Sequence, residues 1–412
     1  MKITKIKARQ VLDSRGNPTI ECEVFTEKSK GSAIVPSGAS TGKYEALELR
    51  DKERQYHGKS VYKAINNIHK LIAPKLIGKE ITKQQDIDNL IVDLDGTPNK
   101  SNLGANATLA VSLAVAVAAS NLLNKPLYKY LGNKTIIPIP FCNIINGGRH
   151  SEGDLQLQEF MIVPIKAKSF SQATQMAAEI YYTLKQNLDD KYGKLATHVG
   201  DEGGFAPPIK SPSEALDMLS KAIEENNYTN EVKLAIDAAA SEFYTGTQYK
   251  VEPDKMLNSD KLIEYYKDLI KKYPIISLED PFDQDDFSAY KELKKKIRIQ
   301  IVGDDLLATN KNRIEYVVKG NLCNCLLLKL NQICTLTEAL EAFKLATKAK
   351  WKTMISNRSG ETEDTFIADL AVALGCGQIK LGAPCRGERT AKFNRLLKIE
   401  EDLGKKAKYA KF

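Results

Sequence analysis

The stretch IQIVGDDL, residues 299–306, runs from apolar residues into two aspartates. It is short and β-branched, which reads as a buried strand whose far end carries acid. The pattern recurs in KLAIDAAA (233–240), PIISLEDP (274–281), CLLLKL (325–330), KTMISN (352–357) and GQIKLG (377–382). Amphipathic segments such as 335–349 and 362–375 separate these runs. The polar residues that end them, Glu279, Asp304, Lys329, Asn357 and Lys380, lie 25, 25, 28 and 23 residues apart. One strand, its loops and a crossover of about a dozen residues fill such an interval. Repeated strand–helix units imply a parallel sheet, and over this length a closed (β/α) barrel is the expected form. An open doubly wound sheet is the alternative, but no G-x-G-x-x-G follows the first strand of a unit. In a barrel the strand C-termini share one mouth. Asp237, Glu279, Asp304, Lys329, Lys380 and the Asn357-Arg358-Ser359 group are therefore expected to converge.

Upstream the pattern differs. Residues 1–30 alternate as strands do, with a turn at Gly16–Pro18, and helical periodicity follows over roughly 60–130. Strands followed by helices indicate an α+β unit. The expected fold is α/β, a C-terminal (β/α)8-type barrel over 135–412 preceded by a smaller α+β domain over 1–132.

Composition narrows the function classes. The net charge of +8 comes from 60 basic and 52 acidic residues without a basic run, so no nucleic-acid partner is expected. The seven cysteines are odd in number and mostly in apolar surroundings, which fits free thiols in a reducing, cytoplasmic setting. Cys323 and Cys325 read as one face of a strand, and none of the four histidines lies near them, which argues against zinc. The opening MKITKIKARQ has no apolar core, so no secretory signal is expected. The apolar stretch 103–123 is rich in alanine and broken by Asn106, Thr108, Ser112 and Ser120. It reads as a packed core helix, not a membrane span.

Three carboxylates from three strands resist joint ionisation unless a cation joins them, and oxygen donors suit Mg²⁺. Asp237, Glu279 and Asp304 are that set. Lys329, desolvated beside such a cation, would have a depressed pKa and serve as a base; a plain ion pair with one acid is the alternative. In VGDEGGF, residues 199–205, Glu202 is a candidate proton carrier, or the segment is only a turn exploiting Gly203 and Gly204. Arg358 and Ser359 at a strand end suit a phosphate, and His150 in NGGRHS could reach the same anion.

The motifs DSRGNPT, VPSGASTG, INGGRH, LQEFMI, VGDEGGFAP, SLEDPFDQDD, VGDDL, LLLKLNQI, SNRSGETEDTFIADLA and IKLGAPCR together resemble the enolases, across essentially the whole chain. The wording EDPFDQDD is closest to eukaryotic members. The resemblance implies a homodimeric lyase interconverting 2-phosphoglycerate and phosphoenolpyruvate. It implies two Mg²⁺ per site, the first on Asp237, Glu279 and Asp304, the second substrate-dependent and reached by Ser40. Lys329 would take the proton from carbon 2, while Glu202 with Glu159 would help the hydroxyl leave. Arg358, Ser359 and His150 would hold the phosphate and Lys380 the carboxylate. Arg9 with Glu401, and Glu21 with Lys398, fall where the family pairs its subunits.

The chain departs from that pattern at Asn357, where the family reads His; at Leu381, usually Thr; at Gly387, usually Ser; and at Arg149. Asparagine keeps hydrogen bonding but loses the titratable proton. Two readings follow: a working enzyme, or a catalytically impaired enolase fold that binds a partner. A different dehydratase of the same superfamily fits less well, because the Ser40 loop and Arg358–Ser359 point to a phosphorylated substrate.

Overall fold

The structure is a computed structural model and describes residues 1–39, 42–151 and 153–412. The N-terminal part is built on an antiparallel meander, β1 (Lys5–Leu12), β2 (Pro18–Phe25) and β3 (Lys30–Ile34). Alternation along β2 buries Ile20, Cys22 and Val24 on one face. The helix Ala105–Leu122 covers that face. It is long and apolar enough to cross a bilayer, but 83% of it is buried within the protein, as a core helix requires. Its polar side chains tie it to the barrel half of the chain. Thr108 Oγ1 donates to the Cys334 carbonyl (3.1 Å), and Ser112 Oγ accepts from the Leu336 amide (2.9 Å).

Eight strands close the barrel in sequence order: β4 (Ile139–Asn146), β5 (Glu159–Pro164), β6 (Val232–Asp237), β7 (Ile275–Glu279), β8 (Gln300–Gly303), β9 (Cys325–Leu328), β10 (Lys352–Ser356) and β11 (Gly377–Lys380). Alternate residues point inward, among them Phe141, Met161, Val163, Val302, Cys325, Leu327 and Met354, and fill the interior. Their neighbours Ile144, Ile162, Ile236, Leu278 and Leu326 pack in the layer outside. Cys323 precedes β9 and belongs to that outer layer, so the two cysteines do not share a strand face.

The uniform parallel sheet expected from the repeats is corrected at one strand. β5 runs antiparallel to both β4 and β6. Among the described residues, the segment between β4 and β5 holds only the single 3-10 turn Gly148–His150 and no α-helix, so no crossover carries the chain back to the far end before pairing resumes. Two helices, Phe170–Tyr192 and Pro212–Glu225, then separate β5 from β6. Because β5 descends, the first helix returns the chain to the mouth, and the loop between the helices lies there.

Gly31 of β3 touches the covering helix so closely that a Cβ would sit 2.0 Å from the Ala118 amide nitrogen. Gly31→Ala should therefore cost about 1–3 kcal/mol, read as faster amide exchange across residues 5–34. Gly387→Ala is the control, since a Cβ there meets nothing within 4 Å and exchange should be unchanged.

Candidate active site

The barrel mouth is assembled by register. Glu159 opens the descending strand and pairs across the sheet with Asn146 on one side and Asp237 on the other. Glu279 pairs with Asp237 on its other side. Three carboxylates thus stand side by side at one end of neighbouring strands. Asp304 follows the next strand, Lys329 follows β9, and Lys380 ends β11. The convergence expected from the spacing is present.

The buried ammonium of Lys380 lies at the centre. It is 2.8 Å from Asp237 Oδ2, 2.8 Å from Glu279 Oε1 and 3.1 Å from Glu159 Oε2. Lys329 Nζ is 2.5 Å from Asp304 Oδ2, whose other oxygen accepts from Gln332 Nε2 at 2.8 Å. Each of the three carboxylates read as metal ligands is therefore bonded to a lysine. Among the described residues two groups of potential ligand atoms lie within 4.8 Å of one another: His150, Glu159 and Glu202, and Asp280, Asp304 and Asp305, the second sharing Asp304 with the expected set. Both could bind a metal ion.

Titration follows from burial and neighbours. Burial raises Glu159 and Glu279 well above the ordinary carboxylate range, and the surrounding acids add to it. Burial also presses on Asp304, but the Lys329 charge outweighs it and holds the pKa low. The depressed pKa expected of Lys329 is one beside a bound cation; beside Asp304 alone the balance is different. Burial pulls its pKa down, yet the attraction of Asp304 leaves it raised, not depressed.

Glu202 arrives on the loop between the two helices. Gly203 adopts φ +84° there, and a Cβ on Gly204 would fall 2.3 Å from Asn146 Oδ1. The two glycines thus serve different needs, one conformational and one of close approach. Glu202 accepts from Asn143 Nδ2 (3.3 Å) and Asn357 Nδ2 (3.2 Å). Burial works to raise its pKa, but His150, Arg389, Lys380 and the Asn143 bond bring it to about 2. Burial moves the His150 imidazole down to about 4, so near neutrality it carries no charge. His150 faces Glu159, 3.6 Å from Nδ1 to Oε1. The site thus holds one carboxylate whose pKa is raised beside one whose pKa is lowered.

Arg358 and Ser359 face the N-terminal half. The Arg358 guanidinium pairs with Glu45 at 2.9 Å and donates to Asn331 Oδ1 at 3.1 Å. Ser359 Oγ accepts from the Ala39 amide at 2.7 Å. Ser40, read as a ligand of the second metal, lies outside the described residues. Leu381 and Gly387 offer no bonding side chain here, and Arg149 pairs with Glu242 at 2.7 Å.

Sequence reasoning missed Asn143, Gln332, Glu45 and Arg389. A signal existed for two of them. Asn143 is a polar residue inside the apolar run FCNIIN, and Arg389 is a cation in the first turn of the helix Gly387–Leu403, where the helix dipole opposes it. Nothing local marks Gln332 or Glu45.

Because the native His150 pKa lies below its unfolded value of 6.5, the unfolded chain takes up this proton first as pH falls. Stability from keeping the ring neutral is complete above about 6.5 and is lost down to about 4, by roughly 3 kcal/mol in all. In EDTA, wild type should lose that much more stability than His150→Gln between pH 7 and pH 4. Parallel urea curves for the two proteins would refute the assignment.

Comparison with known proteins agrees with this geometry. The enolase N-terminal domain matches residues 3–131, and the enolase C-terminal TIM barrel domain matches residues 134–412. A protein of Methanocaldococcus jannaschii named Enolase is 54% identical, covering 99% of this chain and 97% of its own length. Those of Methanococcus vannielii and Thermococcus gammatolerans, also named Enolase, are 54% and 53% identical, covering 97% and 98% of this chain and 95% of each relative. A barrel whose mouth gathers carboxylates and lysines, preceded by this meander-and-helix unit and matched along nearly its full length, has one reading: the chain belongs to the enolase family.

Proposed function

We infer that the chain carries out the enolase reaction, removing water from 2-phosphoglycerate to give phosphoenolpyruvate and adding it in reverse. One observation carries the reading: Lys329 and Lys380 stand among Asp237, Glu279, Asp304 and Glu159 at a single barrel mouth.

On this reading Lys329 accepts the proton from carbon 2, and the leaving hydroxyl needs a proton in turn. Glu159 and Glu202 have pKa values pushed apart by their surroundings, which supports the pair, Glu202 with Glu159, as the groups that deliver that proton. Arg358 and Ser359 bind the phosphate, with His150 closing the same side, and Lys380 turns from its acids to the substrate carboxylate. Asn357 occupies the position where the family pattern places His and serves as a neutral hydrogen-bonding group.

Asp237, Glu279 and Asp304 would hold a divalent cation, Mg²⁺ by ligand chemistry, with Ser40 reaching a second one that arrives with substrate. The donor set fits: all are hard oxygens, and Glu279 Oε2 is buried without a hydrogen-bond partner among the described residues. When bound, the cation supplies positive charge for the electrons that build up on the substrate carboxylate. Asp304, were it to hold the cation, would release part of its contact with the Lys329 ammonium.

We further propose two domains at 1–132 and 135–412, a cytoplasmic setting that suits the seven free cysteines, and a homodimer. Arg9 bonds Glu21 at 2.5 Å within the chain, and exposed Lys398 and Glu401 remain for a second copy.

With Mg²⁺ and 2-phosphoglycerate, purified protein should produce the phosphoenolpyruvate absorbance. Lys329→Ala should abolish it, and EDTA should abolish it until Mg²⁺ is restored. Turnover equal to that of Lys329→Ala would reject the reading. Asn357→His should change kcat by less than about tenfold; a gain of about 10²-fold, the size of one missing electrostatic stabiliser, would instead favour the impaired, partner-binding protein.

A further inference from the structure

Arg389 is fully buried and sits behind the reacting groups, not among them. Its Nη1 donates to Asn357 Oδ1 (2.7 Å) and the Arg358 carbonyl (2.6 Å). Its Nη2 donates to the Ser359 (2.6 Å) and Asp201 (3.0 Å) carbonyls, and Nε reaches Glu388 Oε1 at 3.3 Å. One guanidinium thus joins the strand end 357–359 to the loop that carries Glu202.

A guanidinium can only donate. The Asn357 atom facing it must therefore be the oxygen, which settles the amide orientation. The NH2 then faces Glu202 Oε1 and donates to it (3.2 Å), while Asn143 Nδ2 donates to Oε2 (3.3 Å). Two donors, one on each oxygen, suit a carboxylate. We propose that Arg389 is a positioning residue of this active site: by fixing the Asn357 amide it holds Glu202 in place beside Glu159. The proposal rests on the enolase reading of the site.

The same geometry gives Asn357 a definite task. A histidine at 357 would have to present a bare ring nitrogen to Arg389, which a protonated imidazole lacks. Behind this arginine, asparagine therefore performs the same exchange as a neutral histidine, accepting on one side and donating on the other.

The test is a kinetic cycle on the Mg²⁺-loaded protein, with Arg389→Lys, Asn357→Ala and the double variant, each checked for folding by circular dichroism. Lysine keeps the charge but cannot span Asn357 and three carbonyls. Arg389→Lys should lower kcat by about 10–10²-fold with KM little changed, and the double variant should be no slower than Asn357→Ala alone. Multiplying losses, or a change in KM only, would overturn the proposal. Should Arg389→Lys fail to fold, Asn357→Asp decides the matter, since it keeps the acceptor for Arg389 but turns the donor towards Glu202 into an oxygen. A kcat loss of about 10²-fold supports the proposal, and an unchanged kcat defeats it. An inactive wild type would instead remove the enolase reading beneath it.

Discussion

The barrel mouth must bury more negative charge than it has side-chain cations to neutralise. Glu159, Glu202, Asp237, Glu279 and Asp304 are all buried there, against Lys329 and Lys380. A buried carboxylate without a partner costs several kcal/mol, so each must have an ammonium, a donor, a bound cation or its own proton. The structure distributes these unequally. Lys380 serves three acids, Lys329 serves Asp304, and two asparagine amides serve Glu202. Glu159 and Glu279 have the weakest compensation and are the ones whose pKa rises well above the usual range. The proton inventory of the site is thus a consequence of where the donors stand.

Backbone topology decides which acids can meet. If β5 ran parallel, Glu159 at its start would lie at the opposite end of the barrel from Asp237. Reversal brings it to the mouth and also sets the helix–helix loop with Glu202 at the same end. One antiparallel strand therefore delivers both members of the carboxylate pair whose titration the environment separates.

The strands bearing Asp237, Glu279, Asp304, Lys329 and Lys380 could be read from the sequence because each is a short apolar run ending in charge, at the interval of one strand–helix unit. The reversed strand could not. VPIKAKSF after LQEFMI holds no direction signal, since strand composition is the same whichever way the chain runs. The raised pKa of Lys329 was hidden for a related reason. Sequence shows that Lys329 and Asp304 approach one mouth, but not that their atoms come to 2.5 Å, and that distance decides whether burial or attraction wins. Arg389 is marked by its place against the helix dipole, but its partners at 357–359 and Asp201 are set only once the chain is folded over them.

The N-terminal half is tied into the chemistry by the same accounting. Arg358, proposed to hold phosphate, is paired with Glu45, and Ser359 Oγ accepts from the Ala39 amide. Backbone bonds between Ser37 and Gly360 in both directions fasten this segment to the strand end. A phosphate arriving at Arg358 competes with the Glu45 carboxylate for the same guanidinium. The N-terminal unit is thereby more than a support for the barrel, because its acid already pairs with the guanidinium proposed to hold the anion.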